Sequence, residues 1–189
     1  MSCKNGRSIA VVNQHRSIEM VAKHQKIITT IAAVSIAFLA VKPFINSVPL
    51  VVWNASESVP IGWYLVAQRQ PTIGEVAVIK PSEWVQIYAS SRGYLPQDVW
   101  LLKPIFAAHP SIICRFRSHV FVDGKHVAKA KTRDRKHRLL PIWSGCKLLK
   151  ARQYFVLGRH RDSFDSRYFG PIEQGQVVGT AFPLSGLFK

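Results

Sequence analysis

At 189 residues, 48% of them apolar, the chain has material for one domain with its own core and a short appended segment. Three cysteines, Cys3, Cys114 and Cys146, exclude a disulfide-built scaffold, and none stands in the CxxC spacing of a zinc site. The formal charge of +16 implies a polyanionic neighbour, either nucleic acid or an anionic lipid surface.

Residues 1–26 are polar and basic, with Lys4, Arg7, Arg16, Lys23 and Lys26 set against Glu19. Residues 27–41 carry no charge. As a helix they reach about 22 Å, short of the roughly 30 Å hydrocarbon core of a bilayer. Lys23, Lys26 and Lys42 can snorkel, and residues 44–52 are mostly apolar, so a tilted or locally thinned span is expected. The chain then divides into a basic cytoplasmic tail (1–26), an uncleaved transmembrane anchor (27–45) and an exported domain (46–189), oriented by the basic flank. A cleavable signal peptide and a buried soluble helix are the competing readings.

Beyond the anchor the pattern shifts to short strands. Ser58 lies between an apolar run (Leu50 to Trp53) and a strand-like run (Trp63 to Ala67). Pro60 biases Val59 toward an extended backbone, and Gly62 permits a turn or a close approach, so Ser58 belongs on a constrained loop at a sheet edge. Ser56 is the rival hydroxyl there. Glu75 to Ile79 reads as a strand, and Pro81 opens a helix with Trp84, Ile87 and Tyr88 at helical spacing, its aromatics serving as core or as the lip of a groove.

Val99 to Phe106 is apolar on both faces, as a buried strand requires, apart from Lys103. Lys103 shares a face with Val99, Leu101 and Ile105. Snorkelling at a strand end is the bland account. A desolvated amine, able to act as a general base near neutral pH, is the sharper one. Ile112 to Phe116 and His119 to Val122 follow as strands, and Asp123-Gly124 signals a hairpin into Lys125 to Ala128. The basic run from Lys129 to Arg138 reads as a solvated loop with Asp134 as its lone acid. No interleaved aromatics or DNA-binding pattern accompany it, so no specific nucleic-acid partner is expected. Leu139 to Leu149 returns to the core, Gln153 to Leu157 is a strand, and Gln174 to Phe182 closes the sheet. Cys114 and Cys146 either pair in an oxidising compartment or stay as separate buried thiols.

Between the last two strands, Gly158 to Gly170 packs Arg159, His160, Arg161, Asp162, Asp165 and Arg167 into one short loop. In an extended segment Asp165 and Arg167 point the same way, which suits an internal ion pair. Ser163-Phe-Asp-Ser-Arg-Tyr-Phe-Gly170 closely resembles the last signature box of the type I signal peptidases. Ser58-Val-Pro-Ile-Gly62 resembles their nucleophile box, and Leu101-Leu-Lys103 their lysine box. Within that superfamily (S26), Asn54-x-x-x-Ser58-x-Pro60-x-Gly62-x-Tyr64 and Leu140-Pro-x-Trp-x-Gly-Cys146 are similar to the conjugative-transfer (TraF-type) peptidases, which mature a pilin subunit and in some members cyclise it.

The resemblance implies a mainly β fold: a signal-peptidase-like β-rich catalytic domain with a short helix, preceded by one N-terminal transmembrane helix. It implies Ser58 as nucleophile and Lys103 as general base. Asp165, Arg167 and Ser163 would support them, and Ser56 or the Ser58 amide would stabilise the oxyanion. No cofactor or metal is implied. The partners would be a pilin precursor and inner-membrane lipid, with the catalytic domain in the periplasm. The sequence departs from the family where Pro104 follows the lysine, and where Gly158-Arg-His-Arg161 opens the last box. A general signal peptidase acting on secretory preproteins, and a non-catalytic basic binding component of a transfer apparatus, are the alternatives.

Overall fold

The computed structural model describes residues 23–36 and 49–186. The chain divides into two units, Met1–Ser47 and Val48–Lys189. In the first, residues 23–36 form a helix, α1, in which Ile27, Ile28, Ile31, Val34 and Ile36 are exposed. Among the described residues no helix is long and apolar enough to cross a membrane. The stretch needed to complete the expected anchor, 37–45, lies outside the described residues.

The second unit is built from two antiparallel sheets. The larger has seven strands in the order β1-β2-β11-β3-β4-β9-β10, and the smaller has four in the order β7-β6-β5-β8. In the larger sheet, β1 (Val51–Asn54) is an edge strand, β2 (Gly62–Ala67) lies beside it, and β3 (Val76–Ile79) and β4 (Leu101–Ala108) run through the middle. β9 (Gln153–Val156), β10 (Ile172–Glu173) and β11 (Val177–Pro183) complete it. The smaller sheet contains β5 (Ile112–Phe116), β6 (His119–Val122), β7 (Lys125–Lys129) and β8 (Gly145–Leu148). Asp123 and Gly124 both adopt positive φ, 48° and 77°, which is the primed turn expected between β6 and β7.

β4 decides where the site lies. Its register sets Ala77 opposite Lys103 and Leu102 opposite Val78, so the lysine sits mid-strand and not at an end. Pro104 follows it in a central strand, where a missing N–H normally breaks the ladder. Here pairing with β9 starts only at Ile105, opposite Val156, so the proline falls where that partner strand has already run out. Leu101 and Ile105 belong to a core cluster with Ala77, Ile79 and Val156, while Leu102 packs in a second cluster with Val59, Tyr64 and Val78. The amine is therefore bracketed by aliphatic packing along its own strand.

One expectation is narrowed and another needs correction. The helix after Pro81, α2 (Glu83–Ser91), buries Val85 and Ala89 and leaves Ile87 exposed. Trp84 takes the groove-lip reading, edging a cavity of about 190 Å³ with Pro81, Phe169 and Gln176. The segment from Leu139 to Leu149 does not return wholly to the core. Leu140 and Leu149 are buried, but Leu139 and Ile142, in the loop that leads to β8, and Leu148, on β8 at the edge of the small sheet, stand in solvent.

Candidate active site

Ser58 lies on the loop between β1 and β2, and Asn54 shapes that loop. The buried Asn54 side chain donates through Nδ2 to the carbonyls of Ser56 (2.8 Å), Val59 (3.0 Å) and Pro60 (3.0 Å). Its Oδ1 accepts from the Ser56 amide (3.1 Å) and the Ser56 hydroxyl (2.9 Å). One amide thus ties five hydrogen bonds across a six-residue turn, which closes through Gly62 at φ 149°, a backbone reserved for glycine. The two hydroxyls differ in their surroundings: Ser56 is exposed and its hydroxyl donates to Asn54, whereas Ser58 is buried at 5% exposure.

Lys103 reaches Ser58 from β4. Its Nζ is in hydrogen-bonding contact with Ser58 Oγ and donates to Ser163 Oγ at 2.8 Å. The two hydroxyls are 3.0 Å apart, so the three polar atoms form a closed triangle. Lys103 is 4% exposed. Burial pulls its amine down from an ordinary value near 10.5 to about 8, the charge of Asp165 partly restores it, and that of Arg167 lowers it further. An amine so placed is free base in about one molecule in ten at pH 7, which is enough to accept a proton from a hydroxyl.

The third element wraps the triangle from the far side. Asp165 caps the short helix α3 (Ser166–Phe169) and is completely buried. Its Oδ1 accepts from the Arg167 amide (3.1 Å) and Arg167 Nε (2.8 Å), and its Oδ2 from Arg167 Nη2 (2.7 Å) and the Gly158 amide (2.8 Å). The ion pair suggested by an extended segment exists, but a helix N-cap makes it, with the arginine side chain folded back over its own first turn. Arg167 then donates to the carbonyls of Gly158 (3.1 Å), His160 (3.0 Å) and Arg161 (3.1 Å), so one guanidinium organises the whole preceding loop. Burial lowers the Arg167 guanidinium, but the hydrogen bonds and charge of Asp165 outweigh it and leave the group raised. Arg159 N donates to Ser58 O at 3.3 Å, joining this loop to the serine loop.

Cys114 and Cys146 are opposite each other on β5 and β8 and are joined by a disulfide. They lie in the small sheet, apart from the triangle on β4. Among the described residues no group of three or more His, Cys, Asp or Glu side chains could hold a metal ion.

Four contributors escaped the sequence reading. Asn54 was visible only as part of a motif. Gly158 was read as the start of a charged loop, yet a Cβ there would sit 2.2 Å from Ser163 Oγ and 3.3 Å from Ser58 Cβ. Arg115, on β5, is fully buried and donates to Arg167 O at 2.5 Å. Trp143 donates through Nε1 to Ser166 O at 3.1 Å. The last two act across more than 20 residues of chain; Trp143 was visible only within the Leu140 to Cys146 motif, and no local pattern announces Arg115. Gly158→Ala should push the two serines off the amine. We expect a loss of about a hundredfold in kcat and about 1–3 kcal/mol of stability from overpacking, measured by steady-state kinetics and thermal melting.

A buried amine of lowered basicity touching a serine hydroxyl, braced by a capped ion pair, is the arrangement that a lysine-based serine peptidase requires. The chain belongs to the signal peptidase family, peptidase S26, whose sequence model matches residues 23–184. It is thus a peptidase of the serine class. It is 29% identical to the conjugal transfer protein TraF of Agrobacterium tumefaciens (strain 15955) over 143 residues, spanning 69% of this chain and 80% of that protein. Signal peptidase I of Enterococcus faecalis V583 aligns with 60% of this chain and 98% of its own, at 19% identity and a TM-score of 0.35.

Proposed function

We propose that this protein is a membrane-anchored serine endopeptidase that processes the pilin precursor of a conjugative transfer system, with Ser58 as nucleophile and Lys103 as general base. The observation that carries the reading is the contact between the dry Lys103 amine and Ser58 Oγ. Similarity to a conjugal transfer protein supports the choice of pathway. On this reading residues 1–26 are cytoplasmic, 27–45 cross the inner membrane, and 46–189 form the periplasmic domain.

The chemistry follows from the triangle. The free amine of Lys103 accepts the proton of Ser58 Oγ–H while Oγ bonds to the scissile carbonyl carbon. Ser163 accepts an N–H from the same nitrogen and fixes its lone pair toward Ser58. The Ser58 backbone N–H is the oxyanion donor of this scheme, and losing one such donor typically costs about 2.7–4 kcal/mol. The Lys103 ammonium then protonates the departing amine, leaving an acyl group on Ser58. Water resolves the ester to a linear product, and a substrate's own N-terminal amine resolves it to a ring. Of the two buried hydroxyls, Ser58 is the better nucleophile by access. Its neighbours Ala55 to Glu57, Pro60 and Ile61 are exposed, so an extended polypeptide can approach.

Co-expression with a pilin precursor, read by intact mass, tests this. We expect processed product with the native chain and unprocessed precursor with Ser58→Ala; a product one water lighter than the cut chain reports ring closure. Processing by Ser58→Ala at the native rate would refute the assignment, and cleavage of secretory preproteins but not pilin would move it to a general signal peptidase. The amine also sets a pH dependence. Because only the free base reacts, the rate should fall about tenfold per pH unit below about 8 and level off above it. A limb centred below pH 6 would point to a different base.

A further inference from the structure

Arg115 is an unusual group: a completely buried guanidinium whose hydrogen bonds, among the described residues, all go to carbonyl oxygens. Burial pulls it down from its ordinary value. Its acceptors are Arg117 O (3.1 Å), Pro141 O (3.3 Å) and Arg167 O (2.5 Å). A buried cation with no carboxylate partner among the described residues is costly, and shorter apolar side chains would fill the small sheet at lower cost. What the arginine provides is the third contact. Arg167 O belongs to α3, whose capping Asp165 accepts the Gly158 amide, and Gly158 packs directly on Ser163 and Ser58. Trp143 grips the adjacent carbonyl, Ser166 O, from the same side.

Both donors sit beside the disulfide. Arg115 follows Cys114 on β5, and Trp143 stands two positions before the start of β8 and three before Cys146. Among the described residues β8 is an edge strand paired with β5 alone, in a register that places Cys114 opposite Cys146 and Arg115 opposite Gly145. Resting on the assignment of Ser58 and Lys103 above, we propose that Arg115 and Trp143 are positioning residues for the Ser58–Lys103–Ser163 triangle, and that the Cys114–Cys146 bond is the clasp that holds them on α3. Opening the clasp consumes two thiols of a reductant. Two electrons and two protons pass to Cys114 and Cys146, and the reductant leaves as its disulfide. Cys146 is exposed and Cys114 half-buried, so a small dithiol can reach the bond.

The test has a structural and a kinetic arm, both on the full chain in detergent. Hydrogen exchange at the Gly158 and Arg167 amides should quicken about tenfold in Arg115→Met, and in native protein treated with dithiothreitol, while the melting transition stays cooperative. In the same samples kcat should fall about a hundredfold with KM unchanged, because the reacting atoms shift while the outer binding surface does not. Val120→Ala, a core truncation in the same sheet, serves as the control of similar stability: a purely structural role predicts that it loses kcat as Arg115→Met does. Unchanged exchange at Gly158 in both Arg115→Met and the reduced protein would overturn the proposal. So would equal kcat losses in Arg115→Met and Val120→Ala. Should the native chain cleave no precursor, the assignment of the peptidase fails, and the exchange arm still decides whether Arg115 holds the triangle.

Discussion

Replacing Lys103 by methionine will abolish processing and make the protein harder to unfold at pH 7. The first half follows from chemistry: without the amine no group takes the Ser58 proton, and loss of such a base costs about 10⁴-fold or more in kcat. The second half follows from burial. The fall from 10.5 to about 8 means that the folded state carries the Lys103 ammonium at a cost of about 3 kcal/mol, at about 1.4 kcal/mol per pKa unit. Below pH 8 both the folded and unfolded chains hold the proton, so the whole cost falls on the fold. Between pH 8 and 10.5 only the unfolded chain stays charged, and the cost fades; above 10.5 it is gone. The stability gained in Lys103→Met should therefore be full below pH 8 and vanish toward pH 10.5. Methionine matches the stem in length, and Ser58 and Ser163 still hold each other at 3.0 Å, so no buried hydroxyl is orphaned. Urea unfolding of native and variant protein at pH 7 and at pH 10.5 checks the sign. A variant less stable than the native chain at pH 7, or one that still processes precursor, would contradict the account.

That trade between stability and reactivity explains what the sequence disclosed and what it hid. A lysine on an apolar, period-two strand is a local anomaly, so Lys103 stood out from its own neighbours. The strands themselves were legible for the same reason, and Asp123-Gly124 marked its hairpin because turn chemistry is local. What could not be read is what covers each face. Period two says that Lys103 shares a side with Leu101 and Ile105; it does not say that Gly158, more than fifty residues on, closes that side. Leu139, Ile142 and Leu148 looked like core because they are apolar, yet a loop leaves the first two in water and an edge strand the third. Arg115 was read only as one residue of the strand Ile112 to Phe116, and nothing in that strand says that Arg117, Pro141 and α3 close over it. Asp165 and Arg167 were paired on the premise of an extended backbone. The pairing stands but the premise does not, since the aspartate spends two of its lone pairs on amide N–H groups at a helix start and a loop.

Asp165→Asn, a change of one atom, should cost about 3–5 kcal/mol, the loss expected when one member of a buried pair is neutralised. Every lone-pair position of this carboxylate faces a donor: Arg167 N and Nε at Oδ1, Arg167 Nη2 and Gly158 N at Oδ2. An amide must turn its NH₂ toward one of those pairs, so it loses two acceptances and sets donor against donor. The Arg167 guanidinium, 3% exposed, is left without its counter-charge. A cost of that size is a large part of the total stability of about 5–15 kcal/mol usual for a domain. The double variant Asp165→Leu/Arg167→Met removes both charges together and should be less destabilised than the sum of Asp165→Leu and Arg167→Met alone, a coupling of at least about 1 kcal/mol in a double-mutant cycle. It should nevertheless remain inactive, because nothing then holds Gly158 against Ser163. Denaturant melts of the four proteins, with precursor processing alongside, measure both quantities. Additive losses, or an Asp165→Asn variant within 1 kcal/mol of the native chain, would show that the carboxylate is not the brace on which the serine–lysine contact depends.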